Sequence, residues 1–89
     1  MAKKRERLDI IRDILIAVRE SRKIKPTRLL YASNLSPQMF KDYVDELIGK
    51  GFIKMDENEG KKEILLTKKG NDFLEEYRVI EKFIDSFGL

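Results

Sequence analysis

The stretch NLSPQMFKDYVDELIGKGFIKMDENEGKKEILL, residues 34–66, decides the fold of this chain. Ser36 is a favourable N-cap because its hydroxyl can accept a hydrogen bond from a free backbone N–H, and Pro37 suits the first helical position, where no N–H is needed. The apolar residues that follow recur at helical spacing and share one face: Phe40, Val44, Leu47 and Ile48. Gly49 or Gly51 can take the left-handed conformation that ends a helix. This part of the stretch therefore predicts a helix.

A β-hairpin is predicted directly after this helix. Residues 52–55 are short and mostly apolar, as in a strand, and residues 56–62 are polar and contain Gly60, as in a turn. Residues 64–66 form the returning strand. A helix that leads into a hairpin with a charged tip is the second half of a winged helix-turn-helix.

The segments before this stretch complete the pattern. Leu8–Glu20 carries two adjacent apolar stripes, which predicts a helix packed on two sides. A basic connector follows, in which Ile24 can close the small sheet as a short strand. Pro26 begins a second helix that ends near Asn34, a residue suited to a turn with positive φ. We therefore predict a mainly α fold with a small β-hairpin (α+β class), a winged helix-turn-helix domain over residues 8–66.

The C-terminal segment, residues 67–89, predicts a long helix with a heptad seam. Thr67 can cap a helix of about 20 residues, which spans roughly 30 Å. Its apolar residues repeat every three or four positions: Phe73, Tyr77, Ile80, Ile84 and Phe87. A small winged-helix body cannot cover that length, so we predict a two-fold homodimer through this coiled-coil seam. The alternative is that the helix folds back on the first helix of its own chain.

The composition bounds the function. The 89 residues include no Cys and no His, so the chain lacks the usual general base, the usual zinc ligands and any disulfide. We therefore expect no enzyme activity, no catalytic residues, no metal, no cofactor and no small-molecule substrate. No apolar run approaches the roughly 20 residues of a membrane span, and no signal peptide opens the chain. These features predict a cytoplasmic, nucleoid-associated protein without a membrane partner.

The charge is distributed unevenly along the chain. The net charge is +3, but residues 1–41 carry 11 Lys/Arg against 4 Asp/Glu, whereas residues 42–89 carry 8 against 12. A basic half indicates a face that meets a polyanion, and double-stranded DNA is the partner that a winged helix favours. Residues 1–7 form a basic N-terminal arm, which either solubilises the chain or lies along a phosphate backbone.

Three parts of the predicted fold offer DNA contacts. At the start of the second helix they are Lys25, Thr27 and Arg28, which can hold phosphate oxygens together with the free backbone N–H groups. On the next helix they are Ser36, Gln38 and Lys41, since Gln can pair with adenine and Lys with guanine or a phosphate. In the wing they are Lys61 and Lys62.

Carboxylates on the same helix argue against a simple DNA reader. Asp42 lies opposite the core stripe, with Asp45 and Glu46 on its flanks, where they would repel phosphates. Either only the first turn and a half of the helix contacts DNA, or these acids read cytosine amino groups, or this face does not bind DNA. The carboxylates favour weak sequence selectivity over specific readout. They also support an alternative function, a protein–protein interaction surface on this acidic helix or on the C-terminal helix.

Four stretches carry a resemblance to a known family: LDIIRDIL at residues 8–15, KPTRLLYASNLS at 25–36, GKGFI at 49–53 and LTKKGNDFLEEY at 66–77. The chain resembles the small archaeal winged helix-turn-helix proteins of about ten kilodaltons that bind DNA and dimerise by a C-terminal antiparallel coiled coil. The resemblance implies a dimer that acts in transcription regulation or as a minor chromatin protein. By position it implies the DNA contacts and the dimerisation seam named above.

Overall fold

The computed structural model describes residues 7–89, which form four helices and a three-stranded antiparallel sheet. In chain order the elements are α1 (Arg7–Ser21), β1 (Lys23–Ile24), α2 (Pro26–Ser33), α3 (Pro37–Gly49), β2 (Ile53–Asn58), β3 (Lys61–Leu66) and α4 (Lys68–Ser86). The central strand of the sheet is β3, which pairs with both β1 and β2. The predicted mainly α fold with a small β-hairpin is confirmed. Apart from Arg7, the predicted basic arm lies outside the described residues.

Helix α1 lies at the centre of the hydrophobic core. Its side chains at five positions are buried: Ile10, Ile11, Ile14, Leu15 and Val18. The helix contacts α2, β3 and α4. The predicted packing on two sides is therefore confirmed, since α1 contacts both the helix-turn-helix, through α2, and the C-terminal helix α4.

Local hydrogen bonds shape the turn between α2 and α3. Asn34 adopts the left-handed conformation with φ of 58°, as predicted, and its N–H donates to the Tyr31 carbonyl oxygen at 3.3 Å. The Ser36 hydroxyl caps α3 by accepting from the Met39 N–H at 3.3 Å. Buried Ser33 donates its hydroxyl proton to a carbonyl of its own helix. The short turn thus fixes the orientation of α3 relative to α2.

The wing, which is the hairpin of β2 and β3, is longer than predicted, and its turn is tighter. Only Glu59 and Gly60 form the turn, with φ values of 52° and 78°, and two positive values are typical of a tight hairpin turn. The prediction of a turn over residues 56–62 was wrong, because Glu57 pairs directly with Lys62 in the ladder. Polar residues can form strands here since the residues of the hairpin tip are exposed and the ladder pairs their backbones. One cross-strand pair, Glu57 with Lys62, also has opposite charges, whereas Asp56 faces Glu63. Lys61 and Lys62 are consequently strand residues.

Helix α4 begins in close contact with the backbone of Phe52. The Thr67 hydroxyl oxygen accepts from the Gly70 N–H at 3.1 Å, as the predicted cap requires. The hydroxyl group can donate to the carbonyl oxygen of Gly51 at 2.5 Å or of Phe52 at 2.9 Å, and the Thr67 N–H donates to the Phe52 carbonyl oxygen at 3.1 Å. A Cβ atom at Gly70 would overlap the Phe52 carbonyl oxygen and lie 2.6 Å from Leu66 Cδ1. Only glycine permits so close an approach. This contact sets the position from which α4 leaves the sheet.

Candidate nucleic-acid interface

The start of α2 presents a basic groove. Lys25 occupies the N-cap position with an extended backbone and no side-chain cap, and Pro26 opens the helix. Lys25, Thr27 and Arg28 are all at least partly exposed, as a phosphate-binding role requires. An open groove of about 580 Å³ at this point is lined by Ser21, Lys23, Ile24, Lys25, Arg28 and Glu63.

Strand β1 connects this groove to the wing. Lys23 pairs with Leu65 and Ile24 with Ile64, so the basic connector runs beside β3. Lys23 is exposed and lines the groove, although it is not among the residues predicted to contact DNA. The signal was available in the run RKIK at residues 22–25, where exposed cations flank a single buried Ile24.

The polar residues of α3 are engaged along their own helix. Gln38 Nε2 donates to Asp42 Oδ1 at 3.0 Å, and Lys41 Nζ lies 2.7 Å from Asp45 Oδ2. The hydrogen bond to Asp45 raises the pKa of Lys41. Both pairs are spaced four residues apart, the distance at which side chains on one helix face meet. The two groups predicted to read bases therefore already have carboxylate partners.

Glu46 links α3 to α1 through an ion pair. It forms ion pairs with Arg7 and with Lys50, the latter at 2.8 Å. These hydrogen bonds lower the pKa of Glu46 to about 2. The Arg7 guanidinium also lies 5.5 Å from the centre of the Tyr43 ring. Glu46 thus serves to hold the first turn of α1 against α3.

Four exposed cations without an ion pair to the described residues lie on either side of α3 in the sequence. Lys61 and Lys62 are exposed on β3, and Lys25 and Arg28 are exposed at α2. Across residues 7–89, these four side chains form no ion pair. In contrast, Lys41 is paired and the Ser36 hydroxyl caps its own helix. Within the same range, exposed cations without an ion pair are therefore present at the start of α2 and in the wing, and also on α4 at Arg78 and Lys82.

The structure divides the predicted C-terminal seam into two parts. Phe73 packs edge-on against Phe52, with 5.5 Å between ring centres, and the Tyr77 hydroxyl donates to Asp9 Oδ1 at 2.8 Å. Those two seam residues thus contact their own chain. The other three are exposed by 40–67% and are Ile80, Ile84 and Phe87. Val79 and Phe83, which the seam did not include, are exposed beside them.

Charged contacts fasten the middle of α4 to α1. Arg12 forms an ion pair with Glu81, and Arg19 Nη1 lies 3.2 Å from Glu75 Oε2. The Arg12 guanidinium also lies 5.8 Å from the centre of the Tyr77 ring. Burial and the hydrogen bond to Asp9 raise the pKa of Tyr77 to about 12. These contacts end near Glu81, so the last part of α4 extends from the body with its apolar face uncovered by the described residues.

A short helix-turn-helix, a β-hairpin wing and a basic groove beside the wing define the winged-helix class of fold. The chain belongs to the winged helix-turn-helix family, whose model matches residues 4–85. None of the helices within residues 7–89 is long and apolar enough to cross a membrane.

Two proteins of the archaeon Methanocaldococcus jannaschii are similar in sequence. An uncharacterized protein is 40% identical over 67 residues, which are 75% of this chain and 64% of that protein. A second uncharacterized protein is 32% identical over 81 residues, which are 91% of this chain and 36% of that protein. The chain therefore spans less than two thirds of the length of either relative.

Solved structures share the fold at lower identity. Sso10a-2, a DNA-binding protein from Sulfolobus solfataricus, has a TM-score of 0.73 and 24% identity, with 94% of this chain and 90% of that chain covered. F93 from STIV, a winged-helix DNA-binding protein, has a TM-score of 0.73 and 22% identity over 91% and 95% of the two chains. Oxidized MarR from E. coli has a TM-score of 0.70 and 20% identity over 76% and 50%. These similarities establish the winged-helix fold.

Proposed function

We propose that this protein binds double-stranded DNA through the start of α2 and the wing, as a dimeric transcription regulator or minor chromatin protein. The observation that carries the proposal is the placement of unpaired, exposed cations at Lys25, Arg28, Lys61 and Lys62. Proteins that share the fold, Sso10a-2 and F93, are DNA-binding proteins, and a MarR family protein among the similar structures is a transcriptional regulator.

Affinity in this arrangement comes mainly from the phosphate backbone. Arg28 and Lys25 hold phosphates on one side of the groove into which α3 inserts, and the wing lysines hold phosphates on the other. Each neutralised phosphate releases a counterion, so binding weakens steeply as salt rises. Phosphate contacts carry no sequence information by themselves.

Base reading by α3 is weak in this proposal. Gln38 and Lys41 must release Asp42 and Asp45 before they can pair with base edges. An exposed pair four residues apart stabilises a helix by only about 0.2–0.5 kcal/mol, so release is inexpensive, but the freed carboxylates would then face the DNA phosphates. This supports modest sequence selectivity.

The homodimer in this proposal forms through the end of α4. The exposed apolar side chains there are Val79, Ile80, Phe83, Ile84 and Phe87. An apolar surface of this kind is typical of a protein interface, and a two-fold axis lets the same surface cover itself. Because Phe73 and Tyr77 contact the body of their own chain, we assign them to the anchoring of α4, and the dimer contact begins at Val79.

A salt titration tests the DNA contacts. The triple variant Arg28→Ala, Lys61→Ala and Lys62→Ala should bind a random-sequence duplex more weakly, and the slope of log affinity against log salt should shrink by about 0.9 for each phosphate that the variant no longer neutralises. Lys68→Ala is the control, since Lys68 is exposed on α4 and pairs with Asp72. Fluorescence anisotropy measures both quantities.

Two results would contradict the proposal. An unchanged slope in the triple variant would mean that these cations do not contact phosphates. Undetectable duplex binding by the unaltered protein at low salt would favour the alternative, a winged helix that binds another protein through α3 or α4.

A further inference from the structure

Tyr31 is an exposed aromatic residue on the helix that begins the basic groove. Its side chain is 79% exposed, and its hydroxyl forms no hydrogen bond with any of residues 7–89. The other exposed aromatic rings of this part of the chain, Phe83 and Phe87, lie at the end of α4. Neither the winged-helix core nor the proposed phosphate contacts account for a tyrosine at this position.

The Tyr31 ring borders two different depressions in the surface. One has a volume of about 280 Å³ and is lined by Tyr31 with Lys25, Thr27 and Arg28. The other has a volume of about 290 Å³ and is lined by Tyr31 with Leu30, Asn34, Leu35 and Pro37. The ring therefore lies between a cleft whose lining includes the two basic residues and a second cleft formed at the turn between α2 and α3.

We propose that Tyr31 is a stacking platform for an unpaired base of single-stranded DNA whose phosphates are held by Lys25 and Arg28. Binding surfaces for single strands combine a positive groove that follows the backbone with an exposed aromatic ring that stacks on a base. Both parts occur here on neighbouring turns of one helix. The apolar cleft formed by Leu30, Leu35 and Pro37 lies beside the ring, where a stacked base would rest.

The geometry favours an unpaired strand over a duplex. In a duplex the base faces are stacked on one another, and only the base edges are accessible in the grooves. A ring face can stack only on a base that has left the helix. The inference rests on the proposed function for its phosphate contacts, since Lys25 and Arg28 serve both ligands, but the stacking contact is separate from duplex binding.

The matched variants Tyr31→Ala and Tyr31→Phe test the stacking contact. The probes are a fluorescent oligo(dT) strand of about 12 nucleotides and a duplex formed from it with oligo(dA). Tyr31→Ala should weaken binding to the single strand by at least about fivefold, because base–aromatic stacking contributes about that much or more. Tyr31→Phe keeps the ring and should stay within about twofold of the unaltered protein. Because the phosphate contacts stay in place, the salt dependence should not change.

The duplex measurement shows whether a negative result contradicts the stacking contact alone or the proposed function as well. Duplex affinity should be unaltered by Tyr31→Ala, and the exposed position predicts an unchanged melting temperature. Equal decreases on single strand and duplex would overturn the inference, since the ring would then pack on the duplex backbone. No decrease on either probe, or no single-strand binding by a protein that binds duplex, would also overturn it and leave the proposed function intact. Absence of binding to both probes would overturn the proposed function as well.

Discussion

Gly70→Ala tests whether α4 packs against the backbone of Phe52, in the turn before β2. The added methyl group would overlap the Phe52 carbonyl oxygen and lie 2.6 Å from Leu66 Cδ1. The Leu66 side chain can rotate, but the carbonyl oxygen cannot move without disturbing its bonds to Thr67. Overpacking against fixed atoms costs up to about 3 kcal/mol, and the better helix propensity of Ala offsets about 1 kcal/mol. We expect a net decrease of about 2 kcal/mol in the free energy of unfolding.

Thermal unfolding followed by circular dichroism measures this decrease. About 2 kcal/mol lowers the melting temperature of a domain of this size by about 8–16 °C. The protein concentration must be held constant, since association would stabilise the folded chain. Gly49→Ala is the matched control: it also lies in a helix, but a Cβ there meets nothing within 4 Å. It should stabilise the protein by about 0.5–1 kcal/mol. A Gly70→Ala protein that melts at or above the original temperature would refute the close approach of α4 to Phe52.

Two further predictions concern α4. The pKa of Tyr77 rises from 10.0 to about 12 on folding, so its contribution to stability is complete below pH 10 and disappears as the pH rises to about 12. Tyr77→Phe, which removes the hydrogen bond to Asp9, should lower the free energy of unfolding by about 1 kcal/mol at neutral pH. The difference in free energy between the variant and the original protein should be smaller near pH 12. If urea unfolding gives the same difference across that pH range, the hydrogen bond does not have this role. Ile80→Asp with Ile84→Asp should give a soluble monomer that binds DNA more weakly. If this double variant still sediments as a dimer, the interface lies elsewhere.

Features that depend on neighbours in sequence were predicted from the sequence. The cap at Ser36, the left-handed Asn34 and the cap at Thr67 each involve residues no more than three positions apart. The pairs of Gln38 with Asp42 and Lys41 with Asp45 are also local, with partners four positions apart. Their spacing of four residues was visible, but the acids were interpreted as opposing charges on the surface instead of partners for the polar side chains beside them.

The length of the wing was not evident from the residues. Asp56 and Lys62 are as polar as loop residues, and a strand of such residues forms only because a partner strand supplies its hydrogen bonds. The turn over residues 56–62 was predicted because these residues are hydrophilic, but hydrophilic residues can also form paired strands. The same limit explains Lys23, whose place in the groove follows from the pairing of β1 with β3.

The sequence by itself determined the element types, their order and the apolar stripe of each helix, because these follow from periodicity and capping within a few residues. Tertiary structure alone decided how each exposed or apolar residue is used. Phe73 and Ile80 occupy equivalent heptad positions, yet Phe73 packs on Phe52 while Ile80 is 54% exposed. Tyr31 likewise became a candidate only when α2 placed it between two clefts. The physical reason is that the burial of a side chain depends on residues that are distant in sequence and near in space. A pattern of neighbouring residues does not contain that information.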